Sequence, residues 1–321
     1  MTDAISLGRT ATCGRGKPYL KQMRQRIGVL VDQYLAEEML CDRIQNLPQQ
    51  FQNPQPRKWG TIDWQGIDPE QIIGIDPLIF IAILAGCIDT ELPIRGYTQT
   101  SRQYLENLCP PMAKFVGGEV DNHGNLIDLG LWEKEERQHA PTLQKIYTQL
   151  TGLKLRPIPH EPRPYQSTGD IYSDLYIHGL HRVATEYGAA CLYLWLMAHS
   201  TGPLQVAIAE MLRDEVNHMT KFWGFGLWAY PDSSILKVVK TLVGAALGKL
   251  CRRQPSQASL IHTLRRMAQV LHWSAWSWGN KLTFTWTFMV VLLRLWRWSW
   301  SLTPAYLKSL LGTQISGEYR S

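Results

Sequence analysis

Apolar side chains recur at spacings of three and four along four long segments, the periodicity of helices with one buried face, and this predicts an all-α protein. The first segment covers 77–108, with Leu84, Ile88, Glu91 and Ile94 near one face. Pro93 should bend it and Cys109-Pro110-Pro111 should end it. The second covers 126–150, with the stripe Leu129, Trp132, Glu136, His139, Leu143, Ile146 and Leu150. The third covers 173–199 and carries the small residues Gly188, Ala189 and Ala190 beside Glu186. Ser200-Thr201-Gly202-Pro203 reads as a tight stop and restart, and the fourth follows over 203–222 with Leu204, Ile208, Met211, Glu215, His218 and Phe222. Upstream, 17–48 reads as helical and polar, and 49–69, rich in Pro, Gln, Gly and Trp, as an extended arm. Four prolines make 157–164 a connector.

Two of these stripes contain acids and imidazoles where apolar residues belong. Glu136-Arg137-Gln138-His139 and Glu215-Val216-Asn217-His218 each place a carboxylate and an imidazole one turn apart on one helix face. Two such motifs, each preceded by a single glutamate on another helix (Glu91 and Glu186), are the pattern of a dinuclear metal site inside a four-helix bundle. Glu186 lies 14 residues before Ser200 and Glu215 lies 12 after Pro203, so antiparallel third and fourth helices bring both to nearly the same height. Glutamate and histidine are rarely buried unless paired or metal-bound, and two divalent cations supply the compensation. Hard carboxylates with two imidazoles suit iron, with manganese as the alternative. The competing reading is a solvated polar face with surface ion pairs; the stripes oppose it for the two motifs, less so for Glu186, and least for Glu91, where Asp89 and Pro93 blur the phase. His178, His181 and His199 on the third helix are expected to be ordinary histidines.

The strings Trp132-Glu133-Lys134-Glu135-Glu136-Arg137-Gln138-His139 and Asp214-Glu215-Val216-Asn217-His218 resemble the motif helices of soluble acyl-carrier-protein desaturases, in the ferritin-like di-iron superfamily. Thr90-Glu91-Leu92-Pro93 is similar to their first-helix glutamate segment. The resemblance spans roughly 76–228. It implies a ferritin-like bundle with additional N- and C-terminal helices. It further implies two iron ions held by Glu91, Glu136, His139, Glu186, Glu215 and His218, with Glu136 and Glu215 the expected catalytic pair. The implied activity is a di-iron oxidase using O2 on an acyl or lipid-like chain, by desaturation or a related C–H oxidation. Its partners would be an electron donor such as ferredoxin and an acyl-carrier protein or lipid substrate. The small residues Gly188, Ala189 and Ala190 would leave room for a substrate tunnel. The alternative is a ferritin-like protein that handles iron or peroxide at a membrane. Ala189 occupies the place of the family's threonine; aligning His181-Arg182-Val183-Ala184-Thr185 there instead would put a histidine in the glutamate's place, and the matched height of Glu215 favours Glu186. Leu143 replaces the tyrosine of radical-generating ribonucleotide reductase subunits, and no CxxC pair supports a rubrerythrin. Ferritins carry one Glu-x-x-His rather than two, whereas aldehyde deformylating oxygenases and multicomponent hydroxylases share the ligand pattern.

Charge divides the 321 residues unevenly. From Ser234 onward, 12 Lys and Arg face the single acid Glu318, so this stretch carries +11 and the rest −5 of the net +6. The expected organisation is an N-terminal helix and arm over 1–75, the bundle over 76–232, and a basic tail over 233–321. Seven of the 13 tryptophans fall between Trp273 and Trp300. Leu282 to Leu293 is the longest uncharged apolar run there, too short for a bilayer span of about 20 residues. Trp273, Trp276, Trp278, Trp296 and Trp298, with Lys281, Arg294 and Arg297, therefore suggest a surface at the membrane–water interface. Two other readings stay open: helices packed on the bundle with tryptophans in the core, and docking of an acidic carrier. A homodimer is an option, and no nucleic-acid partner is expected. Six scattered cysteines without a CxxC pair suggest a reducing compartment, hence the cytoplasm with peripheral membrane contact as an option. Cys13-Gly14-Arg15-Gly16-Lys17 fails as a phosphate loop because Ala11 and Pro18 stand at its defining positions.

Overall fold

Proline and capping residues decide where the long helices begin and break. The computed structural model describes residues 17–158, 167, 169–232 and 268–312. Residues 13–16 of the rejected phosphate-loop motif, most of the 157–164 connector and eight of the tail's 12 cations therefore lie outside the described residues. Among the described residues the fold is all-α apart from one small hairpin. Helices α1 (Lys17–Tyr34), α2 (Glu37–Gln45) and α3 (Leu47–Gln52) come first. The N-terminal segment is amphipathic rather than polar: α1 buries Met23, Ile27, Leu30, Val31 and Tyr34.

Helix α4 (Pro77–Glu91) starts at Asp76, whose carboxylate accepts the Leu78 N–H, with Pro77 in its first turn. Pro93 ends it, because proline lacks the N–H and crowds the preceding turn. The chain resumes as α5 (Ile94–Leu105) after a bend of 49°. Helix α6 (Pro110–Gly117) leads into the antiparallel pair β1 (Glu119–Val120) and β2 (Leu126–Asp128). The helix expected from 126 thus begins only at Leu131. Gly118 explains the strand: its φ is +83°, and a Cβ there would lie 1.9 Å from the Asp128 carbonyl oxygen.

The motif segment then forms α7 (Leu131–Glu136) and α8 (His139–Thr151). The turn between them is tightened, with the Gln138 N–H bonding the Glu135 carbonyl at 3.1 Å. Arg137 and Gln138 keep right-handed helical backbone, so Glu136 and His139 still share a face. Helix α9 (Ile171–Ala198) is capped by the Asp170 carboxylate, and α10 (Gly202–Ala229) runs a further two turns beyond the predicted 222. The α9–α10 turn is fixed from outside. Ile73 N–H bonds the His199 carbonyl at 2.9 Å, Thr201 N–H bonds the Gln71 carbonyl at 3.0 Å, and Arg26 donates to the Ala198 and Ser200 carbonyls at 2.8 Å.

Helices α9 and α10 pack against each other along their length, α4 packs on α8, and α10 also meets α7 and α8. Around these lie α1 on α9, α2 on α10, and two C-terminal helices, α11 (Trp278–Ser299) on α1 and α9 and α12 (Pro304–Leu311) on α10 and α3. The tail tryptophans divide. Trp276 is 4 % exposed and stacks on Trp195 with ring centroids 4.4 Å apart, and Trp298 is fully buried. These two are core residues and correct the expectation of a surface role. Trp273 is half-buried, with its ring 5.2 Å from that of Trp276. Among the described residues no single helix is long and apolar enough to cross a membrane.

Candidate metal centre

Four helical segments each deliver carboxylates or imidazoles to one spot: α4 brings Glu91, the α7–α8 segment Glu136 and His139, α9 Glu186, and α10 Glu215 and His218. They form two groups, Glu91–Glu136–His139–Glu215 and Glu136–Glu186–Glu215–His218, and within each group the donor atoms lie within 4.8 Å of one another. Glu136 and Glu215 belong to both. The sequence argument that Glu186 and Glu215 share a height therefore matches the geometry, and Glu91, the least regular of the predicted ligands, also joins the cluster.

The imidazoles are oriented from the far side. His139 Nε2 lies 3.4 Å from Asp214 Oδ2, and His218 Nε2 lies 2.8 Å from Glu135 Oε2. A carboxylate oxygen accepts, so Nε2 donates a proton to it and each Nδ1 is turned into the cluster. The ties are reciprocal: the acid preceding each ligand glutamate holds the histidine of the other motif. Within the cluster His218 Nδ1 is 2.7 Å from Glu136 Oε1, and His139 Nδ1 is 3.3 Å from Glu136 Oε2 and 3.2 Å from Glu215 Oε1. Trp132 Nε1 donates to Glu136 Oε1 at 3.2 Å, and Tyr193 Oη to Glu91 Oε1 at 3.2 Å.

Several residues that support the site escape a periodicity reading. Arg57, in the irregular segment after α3, donates through its backbone N–H to Glu135 at 2.8 Å, through Nε to Asp214 at 2.6 Å, and through its two terminal nitrogens to the Glu210 side chain and carbonyl at 2.5 and 2.6 Å. Trp59 Nε1 adds a bond to Asp214 at 2.8 Å. The predicted arm thus braces the acids that hold the imidazoles. Glu133, fully buried, is satisfied by Arg95, Arg137 and Thr98. The sequence does carry a signal for Glu135 and Asp214, since an acid directly precedes the Glu-x-x-His in both motifs; nothing marks Arg57 or Trp59. Histidines 178 and 199 have structural partners, the first stacked on Tyr104 with centroids 4.3 Å apart and the second bonded to the Ile73 carbonyl at 2.9 Å.

The electrostatics fit a cation. Burial, reinforced by the charge of Glu136, pushes the Glu91 carboxyl up to about 8 and that of Glu186 up to about 7. Burial and Glu136 likewise raise Glu215. Burial opposes charging of His139 and His218, but the surrounding carboxylates outweigh it and hold both well above the usual histidine range. Glu136 is held low, against its burial, by the two imidazoles. His139 Nδ1, His218 Nδ1 and Glu186 Oε2 are buried close to the cluster's carboxylate oxygens but in no hydrogen-bond geometry, and buried polar groups in that state point to a missing partner. Four carboxylates and two imidazoles around these atoms could hold one or two divalent metal ions. Gly188 and Ala190 are buried next to Glu186, and Ala189 is half-buried against the core. Compared with models of known protein families, with curated proteins and with solved structures, the chain matches none.

Proposed function

We infer that the chain is a ferritin-like di-iron oxidase that uses O2 to oxidise an acyl or lipid-like chain. The observation that carries this reading is the pair of four-residue ligand groups sharing Glu136 and Glu215. Each cation would take one imidazole and one outer glutamate: His139 with Glu91, and His218 with Glu186. Glu136 and Glu215 would serve both. Iron held by these residues would supply the redox chemistry for using dioxygen against an unactivated C–H bond. The protein's part is positioning. Asp214 and Glu135 fix the imidazoles, and Tyr193 and Trp132 hold Glu91 and Glu136. The small side chains of Gly188, Ala189 and Ala190, on the helix that carries Glu186, suit a narrow channel for a chain without branches. A carrier such as ferredoxin would return electrons.

The test is metal stoichiometry followed by oxygen uptake. Protein loaded anaerobically with Fe(II) should hold two ions per chain, and the Glu136→Ala/Glu215→Ala double variant should hold none. Oxygen consumption by the loaded protein should depend on an added acyl lipid or acyl-carrier substrate. Retention of both ions by the double variant would overturn the ligand assignment. Lipid-independent consumption would instead assign the site to iron or peroxide handling.

A further inference from the structure

The outward face of α11 breaks the usual rule for a water-facing helix. Trp278, Leu282, Trp286, Met289, Leu293, Trp296 and Trp300 are all exposed, Trp278 by 79 % and Trp300 by 70 %. Their spacing runs four, four, three, four, three, four, which is one continuous stripe along the helix and its C-cap residue. At about 1.5 Å per residue the stripe is about 33 Å long. The opposite face of α11 is already occupied, since Thr283, Phe284, Thr287, Val291, Leu295 and Trp298 are buried. Single exposed apolar residues are ordinary, but a contiguous stripe of this size marks an interaction surface.

Charge identifies the kind of partner. Residues 268–312 contain Lys281, Arg294, Arg297 and Lys308 and no acid. Arg294 is paired with Asp32 of α1. The other cations near the stripe lie against its aromatic rings or in water. Lys281 Nζ is 5.5 Å from the Trp278 ring, Arg24 of α1 sits 5.0 Å from the Trp286 ring, and Arg297 is exposed. Tryptophan rings bordered by cations suit the headgroup level of an anionic bilayer, with the helix lying in the plane of the surface. A second copy fits less well. In an antiparallel pair centred on Met289, position 281 falls opposite 297 and sets Lys281 against Arg297; a parallel pair sets each cation against itself. An acidic carrier protein would answer the charge and leave most of the 33 Å apolar stripe without a match.

We propose that the exposed face of α11 seats the protein on an anionic lipid surface, with Trp286, Met289, Leu293 and Trp296 inserted between headgroups and Arg24, Lys281 and Arg297 on the lipid phosphates. This proposal does not depend on the metal reading, and its test uses no metal. Full-length protein is sedimented with vesicles of phosphatidylglycerol and phosphatidylcholine, or of phosphatidylcholine alone, at low and high salt. Binding is expected to the anionic vesicles, weaker in high salt, with a blue shift of tryptophan emission. Trp286→Ser/Trp296→Ser and Arg24→Gln/Arg297→Gln, all at exposed positions, should each weaken it by roughly tenfold or more while thermal melting stays as in the parent. Undiminished sedimentation of both variants overturns the proposal. So does failure of the parent to bind anionic vesicles, and so does a dimer in vesicle-free solution that the tryptophan variant dissociates, which would give the face to a second copy.

Discussion

The ligand cluster and the outer face of α11 invert the same rule in opposite directions. In the cluster, four carboxylates and two imidazoles sit where a bundle ordinarily keeps leucine and valine. On α11, four tryptophans and three aliphatic side chains sit where a helix ordinarily meets water. Among the described residues each region carries a deficit that nothing fills, of positive charge inside and of apolar cover outside. A single helix separates them: Glu186 of α9 faces the cluster, and the next residue, Tyr187, donates its hydroxyl to the Phe288 carbonyl of α11 at 2.5 Å. The pairing teaches that departures from the usual distribution are informative when they are contiguous and have a definite sign, because the sign names the chemistry of what is missing.

The sharpest way to break this comparison uses two neighbouring tryptophans on α11. Trp298→Ala removes a fully buried ring and should cost about 3–5 kcal/mol, whereas Trp296→Ala should stay within about 0.5 kcal/mol. Denaturant unfolding of both variants would measure the contrast. Similar costs would mean that α11 is not sorted into an inner and an outer face.

A second test concerns the inner deficit. Glu91 and Glu186 are raised from 4.5 to about 8 and about 7 in the folded, metal-free protein. The folded state therefore keeps protons that the unfolded chain has released. The stability they contribute is complete below about pH 4.5 and is lost as pH rises through about 7 to 8. Unfolding under chelator should show this decline, and Glu186→Gln should flatten it by roughly 1–3 kcal/mol. Metal affinity should move the other way, rising with pH as the competing protons leave. An unchanged slope in the variant would show that Glu186 titrates like an exposed glutamate.

The smallest expected effect lies at the acids behind the imidazoles. Asp214→Asn keeps the shape and removes the charge that holds His139. It should lower metal affinity about 10–100-fold without unfolding the protein, as measured by competition with a chromophoric chelator. Equal affinity would reduce the Asp214–His139 contact to packing.

Much of this was legible in the sequence because helical periodicity is a local property. The two Glu-x-x-His motifs stand in phase with their own stripes, and equal distances from the Ser200-Thr201-Gly202-Pro203 turn align Glu186 with Glu215. What was not legible depends on contacts distant in sequence. Leu126–Asp128 leaves the helical pattern because it pairs with Glu119–Val120, and Gly118, just before that strand, lets the Asp128 carbonyl approach closely. Arg57 and Trp59 lie in a segment without periodicity, and only the folded chain brings them to Asp214. Seven tail tryptophans look alike as a string, yet Trp298 and Trp296 differ in fate because two positions on a helix are about 200° apart.

The reciprocal ties between the motifs also bear on how the chain finds its alignment. Hydrophobic faces of helices tolerate sliding by one turn, because leucine meeting a different leucine loses little. Here a slip of α7–α8 against α10 by about 5.4 Å would break the Glu135–His218 and Asp214–His139 contacts together. It would strand four ionisable groups in an apolar interior at a cost of several kcal/mol for each charge left behind. The polar centre thus acts as a vernier for the packed helices, giving one helix alignment a clear advantage over the misregistered packings that apolar contacts alone would nearly permit.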